Sequence, residues 1–194
     1  IFSAQTMPIL VAAIHAHNAY GADIIMRILG DMHRVLGAAS YSSLGLGASA
    51  KTTEVRANAA EALASLADRG MVDTALFAEE LCWLLGQHHV MAQRIEQTFR
   101  DAASISPLAG WRIMQVLEGI LPVVGEVNRG GALVQLLVQL AGEHGVSIEI
   151  PEALQPKMKG STVLAKSLRA LEKLQPHPTE LAEQARDQAQ ELLD

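Results

Sequence analysis

Gly45, Lys51 and Thr52 stand at the spacing of a phosphate-binding loop, G-x-x-x-x-G-K-[ST]. In that loop backbone N–H groups cradle the phosphates and the lysine reaches them. Ala50 occupies the position of the second glycine. The motif also needs a buried β-strand before it, and "HRVLGAASYSSL" offers none. No later strand ends in a magnesium-binding aspartate. Nucleotide hydrolysis is therefore not expected of this stretch.

The seven histidines raise a metal site as the next chemistry. His15 and His17 are two apart, so on a helix they point about 200° from each other and cannot share an ion. His88 and His89 are adjacent, with no cysteine or carboxylate at i+3 or i+4. His15 and His33 could meet across a helix pair, but burial or snorkelling explains them more simply. Cys82 lies beside Trp83 in an apolar helix and reads as an inert core thiol. Glu79 and Glu80 read as a solvated face. Neither a G-x-S-x-G elbow nor an H-E-x-x-H helix occurs. The expected catalytic, cofactor-binding and metal sets are empty.

Charge placement carries more. Residues 155–174 hold Lys157, Lys159, Lys166, Arg169 and Lys173 against Glu172 alone, a net charge of +4. Residues 175–194 hold Arg186 against Glu180, Glu183, Asp187, Glu191 and Asp194, a net charge of −4. The five cations are a candidate interaction stripe for an acidic segment, either this chain's own tail or a partner's. Joined by the short "QPHP" turn, the two stripes could fold back as an antiparallel pair. Surface ion pairs are worth at most about 1 kcal/mol each and are screened by salt, so that latch would be weak.

The elements that would position these residues are helical almost throughout. Helices are expected over about residues 4–19 and 22–36, then a Gly/Ser-rich loop over 37–50. A third helix starts at Thr52 or Thr53, carries Val55, Ala59, Leu63 and Leu66, and stops at Gly70. A fourth is capped by Asp73, and a fifth covers about 90–103. A sixth opens with Ser106 as cap and Pro107 at its first position, then stops near Pro122. A seventh follows Gly130–Gly131 and runs to Gly145. "VSIEIPEALQPKMKG" is an irregular connector with one helical turn, and its alternation over 146–150 is too short for a sheet. Ser161 caps an eighth helix to about 174. A last one over about 179–193 has a thin stripe of Leu181, Ala185, Ala189 and Leu192.

"EVRANAAEALASL" resembles one helix of a HEAT repeat: Val-Arg, paired alanines, then leucines one turn apart. The alanines would allow close helix approach, and the resemblance makes Arg56 a structural residue tying neighbouring repeats by hydrogen bonds. Helix pairs starting near residues 53, 90 and 130 give spacings of about 37 and 40, within the range of HEAT and armadillo units. A wider resemblance covers about residues 79–174. "ELCWLLGQHHVMAQRIEQTFRDAA", "GWRIMQVLEGILP", "GGALVQLLVQLAGEHGVSIEIPEAL" and "KGSTVLAKSLRALEKL" follow the order of blocks in the C-terminal region of a family of uncharacterised bacterial HEAT-like repeat proteins. That family has no established activity, so the resemblance implies a fold and supplies no site residues. It also implies the tail end of a longer protein, which suits a chain starting at Ile1. The helix after Pro178 has no counterpart in the family.

Composition agrees with this reading. Apolar residues make up 49% of the 194 residues, charged residues 19% and aromatics only 4%, favouring helices packed through small side chains over sheet. A formal net charge of −6 argues against an extended nucleic-acid surface. The single cysteine points to a reducing, cytoplasmic compartment. No stretch reads as a membrane span or signal peptide. The expectation is an all-α, HEAT/armadillo-like α-solenoid of about four helix pairs plus a C-terminal helix. Residues 1–174 would form the repeat domain, with the 37–50 loop inserted, and 175–194 an acidic helix. The expected function is a non-catalytic scaffold for a protein partner, with no nucleic acid, membrane or cofactor. The alternative is an accessory domain of an enzyme complex whose catalysis lies in a partner subunit.

Overall fold

A computed structural model gives the fold and describes residues 53–68, 81–82, 85 and 89–191. The first helix pair, the 37–50 loop and the Asp73 cap lie outside the described residues. Among the described residues, regular structure is entirely helical. The helices are α1 (Thr53–Asp68), α2 (His89–Ala103), α3 (Pro107–Val124), α4 (Gly131–Glu143), α5 (Val163–Glu172) and α6 (Glu180–Glu191). Short 3-10 segments cover Asn128–Gly130 and Glu152–Met158, and residues 81, 82 and 85 are helical as well. The alternating stretch 146–150 forms no strand. No described helix is long and apolar enough to cross a membrane.

The start of α3 shows how local sequence sets a boundary. A helix leaves four backbone N–H groups without an internal partner, and here each is accounted for. Pro107 has none. Leu108 N donates to Gln188 Oε1 at 3.2 Å, Ala109 N to Ser106 Oγ at 3.0 Å and Gly110 N to Ser106 O at 2.9 Å. The other end departs from expectation, because Pro122 lies inside the helix. Proline removes the bond to the carbonyl four residues back, but Glu118, Gly119, Pro122 and Val123 all face solvent. Water can meet that carbonyl, and the helix continues until Gly125, whose N–H donates to Leu121 O at 2.9 Å.

α4 ends as its glycine implies. Gly145 takes a positive φ of 64° and donates to Gly142 O at 3.2 Å, while Val146 N donates to Ala141 O at 2.8 Å. Those two bonds are a Schellman closure. α5 begins one residue later than expected. Thr162, not Ser161, is its cap, accepting from Ala165 N at 3.1 Å.

Direction follows from close contacts at the helix ends. α2 and α3 are joined by three residues, and α3 runs back along α4: Gly110 lies beside His144, and Gly130 beside Val124. α2 and α4 therefore point the same way, and Arg100 late in α2 reaches Gln139 late in α4. The connector 144–162 then returns the chain to the start of α4, so that α5 runs parallel to α4. Gly131 meets Leu164 at one end, and Gly142 lies beside Leu174 at the other. α1 packs on α2 and α3, and α6 packs on α3. Leu63, Leu81, Leu85, Ile95, Phe99, Ile113, Met114 and Ile120 are the largest fully buried side chains. Arg56 donates to Thr53 Oγ1 of its own helix at 3.4 Å, among other contacts.

Two sets of substitutions test this packing. Leu63 and Leu137 are each 1% exposed, so Leu→Ala at either should cost about 2–5 kcal/mol in denaturant unfolding. A loss under about 0.5 kcal/mol, usual for surface sites, would contradict the burial. The glycines of α4 should diverge in sign. A Cβ on Gly131 would sit 2.7 Å from the Leu164 backbone nitrogen, whereas one on Gly142 meets only Leu174 Cδ2 at 3.9 Å. Gly131→Ala should destabilise by about 1–3 kcal/mol through overpacking, and Gly142→Ala should stabilise by about 0.5–1 kcal/mol through helix propensity. Equal effects would place the α4–α5 approach elsewhere.

Candidate functional site

The five cations of the expected stripe divide into two groups. Lys157 Nζ lies 3.4 Å from Glu126 Oε2 and 3.4 Å from the Glu126 carbonyl oxygen, pinning the second 3-10 segment to the turn after α3. Arg169 donates to the carbonyls of Met158 and, at 3.0 Å, Gly160. These two hold the connector in place. Lys159, Lys166 and Lys173 are exposed and make no ion pair among the described residues. The free part of the stripe is thus these three.

Beside them runs an open groove of about 330 Å³ lined by Gln135 and Val138 of α4 and by Val163, Lys166, Ser167 and Ala170 of α5. The α5 members sit at i, i+3, i+4 and i+7, one face of a helix. Apolar surface dominates the groove, and Val163 is left 53% exposed at its mouth. Lys166 stands on the rim, and Lys173 is two turns further on. The acid of α4, Glu143, is drawn away from it: Gln139 donates to Glu143 Oε1 at 2.7 Å and accepts from Arg100 of α2. Glu172 is adjacent to Lys173 in sequence and so about 100° round the helix from it. The signal in the sequence was Val163, Ser167 and Ala170 at helical spacing between two lysines. It is legible only once α4 is known to lie alongside.

The acidic tail helix docks on α3 and does not fold back onto the basic helix. Its buried residues are Ala182 and Ala185; of the expected stripe, Ala185 is buried and Ala189 half-buried, Leu181 is exposed, and Leu192 lies outside the described residues. Glu180, Glu183, Asp187 and Glu191 point to solvent on the opposite side. No ion pair joins them to the lysines among the described residues.

A second polar cluster lies where α3, α4 and the tail meet. His144 is 3% exposed and stands edge-on to Trp111, with ring centroids 5.4 Å apart and planes at 83°. The Arg186 guanidinium of α6 lies 5.9 Å from the centre of a Trp111 ring. The linker is clasped to the same place, since His177 N donates to Gly145 O at 2.8 Å. His144 Nδ1 is buried without a hydrogen-bond partner. Burial pushes its pKa below the ordinary histidine value, against an upward pull from the Glu143 carboxylate. Sequence reasoning did not single out this cluster, which spans three elements.

Cys82 is half-buried, and burial raises its thiol pKa; that favours the unreactive protonated form. No group of three or more His, Cys, Asp or Glu residues suited to a metal occurs among the described residues. Comparison with protein-family models, with curated proteins and with solved structures returns no match.

The buried histidine gives a pH dependence of known sign. The folded-state pKa is lowered, so the unfolded chain binds the proton more readily. The resulting stability is full above the unfolded value of about 6.5 and is lost as pH falls below it. His144→Phe keeps an edge-on ring and removes the titration. The urea midpoint of the native chain should fall more between pH 7.5 and pH 5.5 than that of His144→Phe. Parallel decreases would show that His144 titrates as freely as in the unfolded chain.

Proposed function

We propose that the chain is a protein-interaction scaffold of the HEAT-like kind and performs no chemistry of its own. The observation that carries this reading is the open apolar groove between α4 and α5, lined by Lys166 and followed along α5 by Lys173, neither of which pairs with an acid among the described residues. A monomer that needed those residues for its own stability would pair or cover them, as it does Lys157 and Arg169. The α2–α3–α4 succession, with α2 and α4 parallel and in contact across α3, supports a repeat-like stack. α5 departs from strict alternation by running parallel to α4, so the groove lies where the regular pattern ends.

The reading extends to the binding of a protein and not of nucleic acid, given the net charge of −6. Immobilised full-length chain, incubated with native extract of the organism that encodes it, should retain a protein in saturable, near-stoichiometric amount. Retention should fall as salt is raised, since exposed charges are screened over about 10 Å at 0.1 M. Failure to retain any protein above the level of an unrelated acidic helical domain would overturn the scaffold reading.

A further inference from the structure

We propose that the α4–α5 groove seats an amphipathic helix of a partner protein, aliphatic on the face turned inward and acidic along the flank that meets Lys166 and Lys173. The inference rests on the scaffold reading above and adds the chemistry of the partner.

Three features of the groove select that occupant. Its walls are helical and aliphatic, with Val138 on one side and Val163 and Ala170 on the other, and so they match side chains that recur at i, i+3 and i+4 on an inserted helix. Its cations are asymmetric. Lys166 lines the groove from α5, Lys173 follows two turns on along the same face, and the connector brings Lys159 to the start of the same helix. The facing wall, on α4, offers Gln135, an uncharged side chain. An inserted helix with acids on one flank only would therefore be oriented by the groove, because Lys166 lines its α5 wall while the α4 wall offers Gln135 and Val138. Finally, the lysines make no ion pair among the described residues, so an incoming carboxylate has no such pair to break.

The nearest acidic helix by sequence is α6, and a second copy of this chain could offer it. Its composition argues against that occupant. Its acidic stripe of Glu180, Glu183, Asp187 and Glu191 lies opposite the buried Ala182 and Ala185, with Gln184 and Gln190 beside it. Presented to the groove, that face would place only polar side chains against Val138, Val163 and Ala170. Its alanine face is already committed to α3. A second copy satisfies the charge and leaves the apolar floor uncovered.

The test uses the full chain and three synthetic helices read by fluorescence anisotropy at 0.1 M salt. The first carries leucines at i, i+3, i+4 and i+7 with glutamates along one flank. The second replaces those leucines by serine, and the third has the sequence of residues 179–191. The first should bind at least about tenfold more tightly than either of the others. The pair Lys166→Glu and Lys173→Glu should weaken it at least about tenfold, because it sets like charges against the acidic flank. Val163→Glu, exposed and therefore tolerated by the fold, should weaken it similarly, with unchanged circular dichroism in every variant. Equal binding of the serine peptide would reduce the site to non-specific ion pairing and overturn the proposal. Binding of the 179–191 peptide as tight as that of the first would assign the groove to a second copy. If both double-charge and Val163 variants still retain the same protein from extract while the leucine peptide fails to bind, the scaffold reading stands and this site for it falls.

Discussion

The fold depends on the need to cover α4 on more than one side. Gly131, Leu133, Val134, Leu136, Leu137, Leu140 and Ala141 are all buried. At about 100° per residue they span an arc of about 220°, twice the roughly 100° stripe of a helix lying on a surface. One neighbour cannot cover such an arc. α3 covers part of it, α2 another, and α5 the remainder. The long connector follows from this requirement. A short turn after α4 would have laid the next helix antiparallel, whereas the 3-10 segment and the bonds from Arg169 and Lys157 lead the chain back to α4's first turn. There Gly131 allows the backbone of Leu164 to approach where a side chain would prevent it.

Covering α4 on these sides leaves one seam open. α5 is narrow, with Leu164, Ala165, Ser167, Leu168 and Leu171 buried, and it turns Val163, Lys166 and Ala170 to the seam with α4. The groove is thus a by-product of how the central helix is wrapped. The same elements that complete the core set its width and place its charges. Local forces fix the cations that hold the connector, and the lysines that project into solvent make no ion pair among the described residues.

Much of the helical plan could be read from the sequence where the deciding chemistry is local. Ser106 and Pro107 announced the start of α3, and Gly145 the end of α4, because capping involves neighbours within a few residues. Leu63 and Leu137 were legible as core from periodicity alone. Pro122 misled because a proline's cost depends on whether the freed carbonyl meets water, which is a tertiary fact. Leu181 misled for a related reason. Leucine attracts attention by hydropathy, yet the surface of α3 accepts the slimmer Ala182 and Ala185, and Gln188 finds its partner across 80 residues. Which of the five cations were already engaged could not be known before the connector's path.

The docking of α6 also has a consequence for the order in which the chain acquires its structure. The contact from Gln188 to Leu108 closes a span of 80 residues, while the buried side chains it brings are two alanines. Closing a long loop costs entropy that so little apolar surface cannot repay. α6 therefore needs α3, the closing turn of α4 and the Gly145 clasp to exist first. Its opening free energy should lie below that of α3 and α4, a difference that native-state hydrogen exchange would resolve. Each opening uncaps Leu108 at the start of α3 and unstacks Arg186 from Trp111. Fluctuations at the far end of the polypeptide are in this way felt at a helix start near its middle.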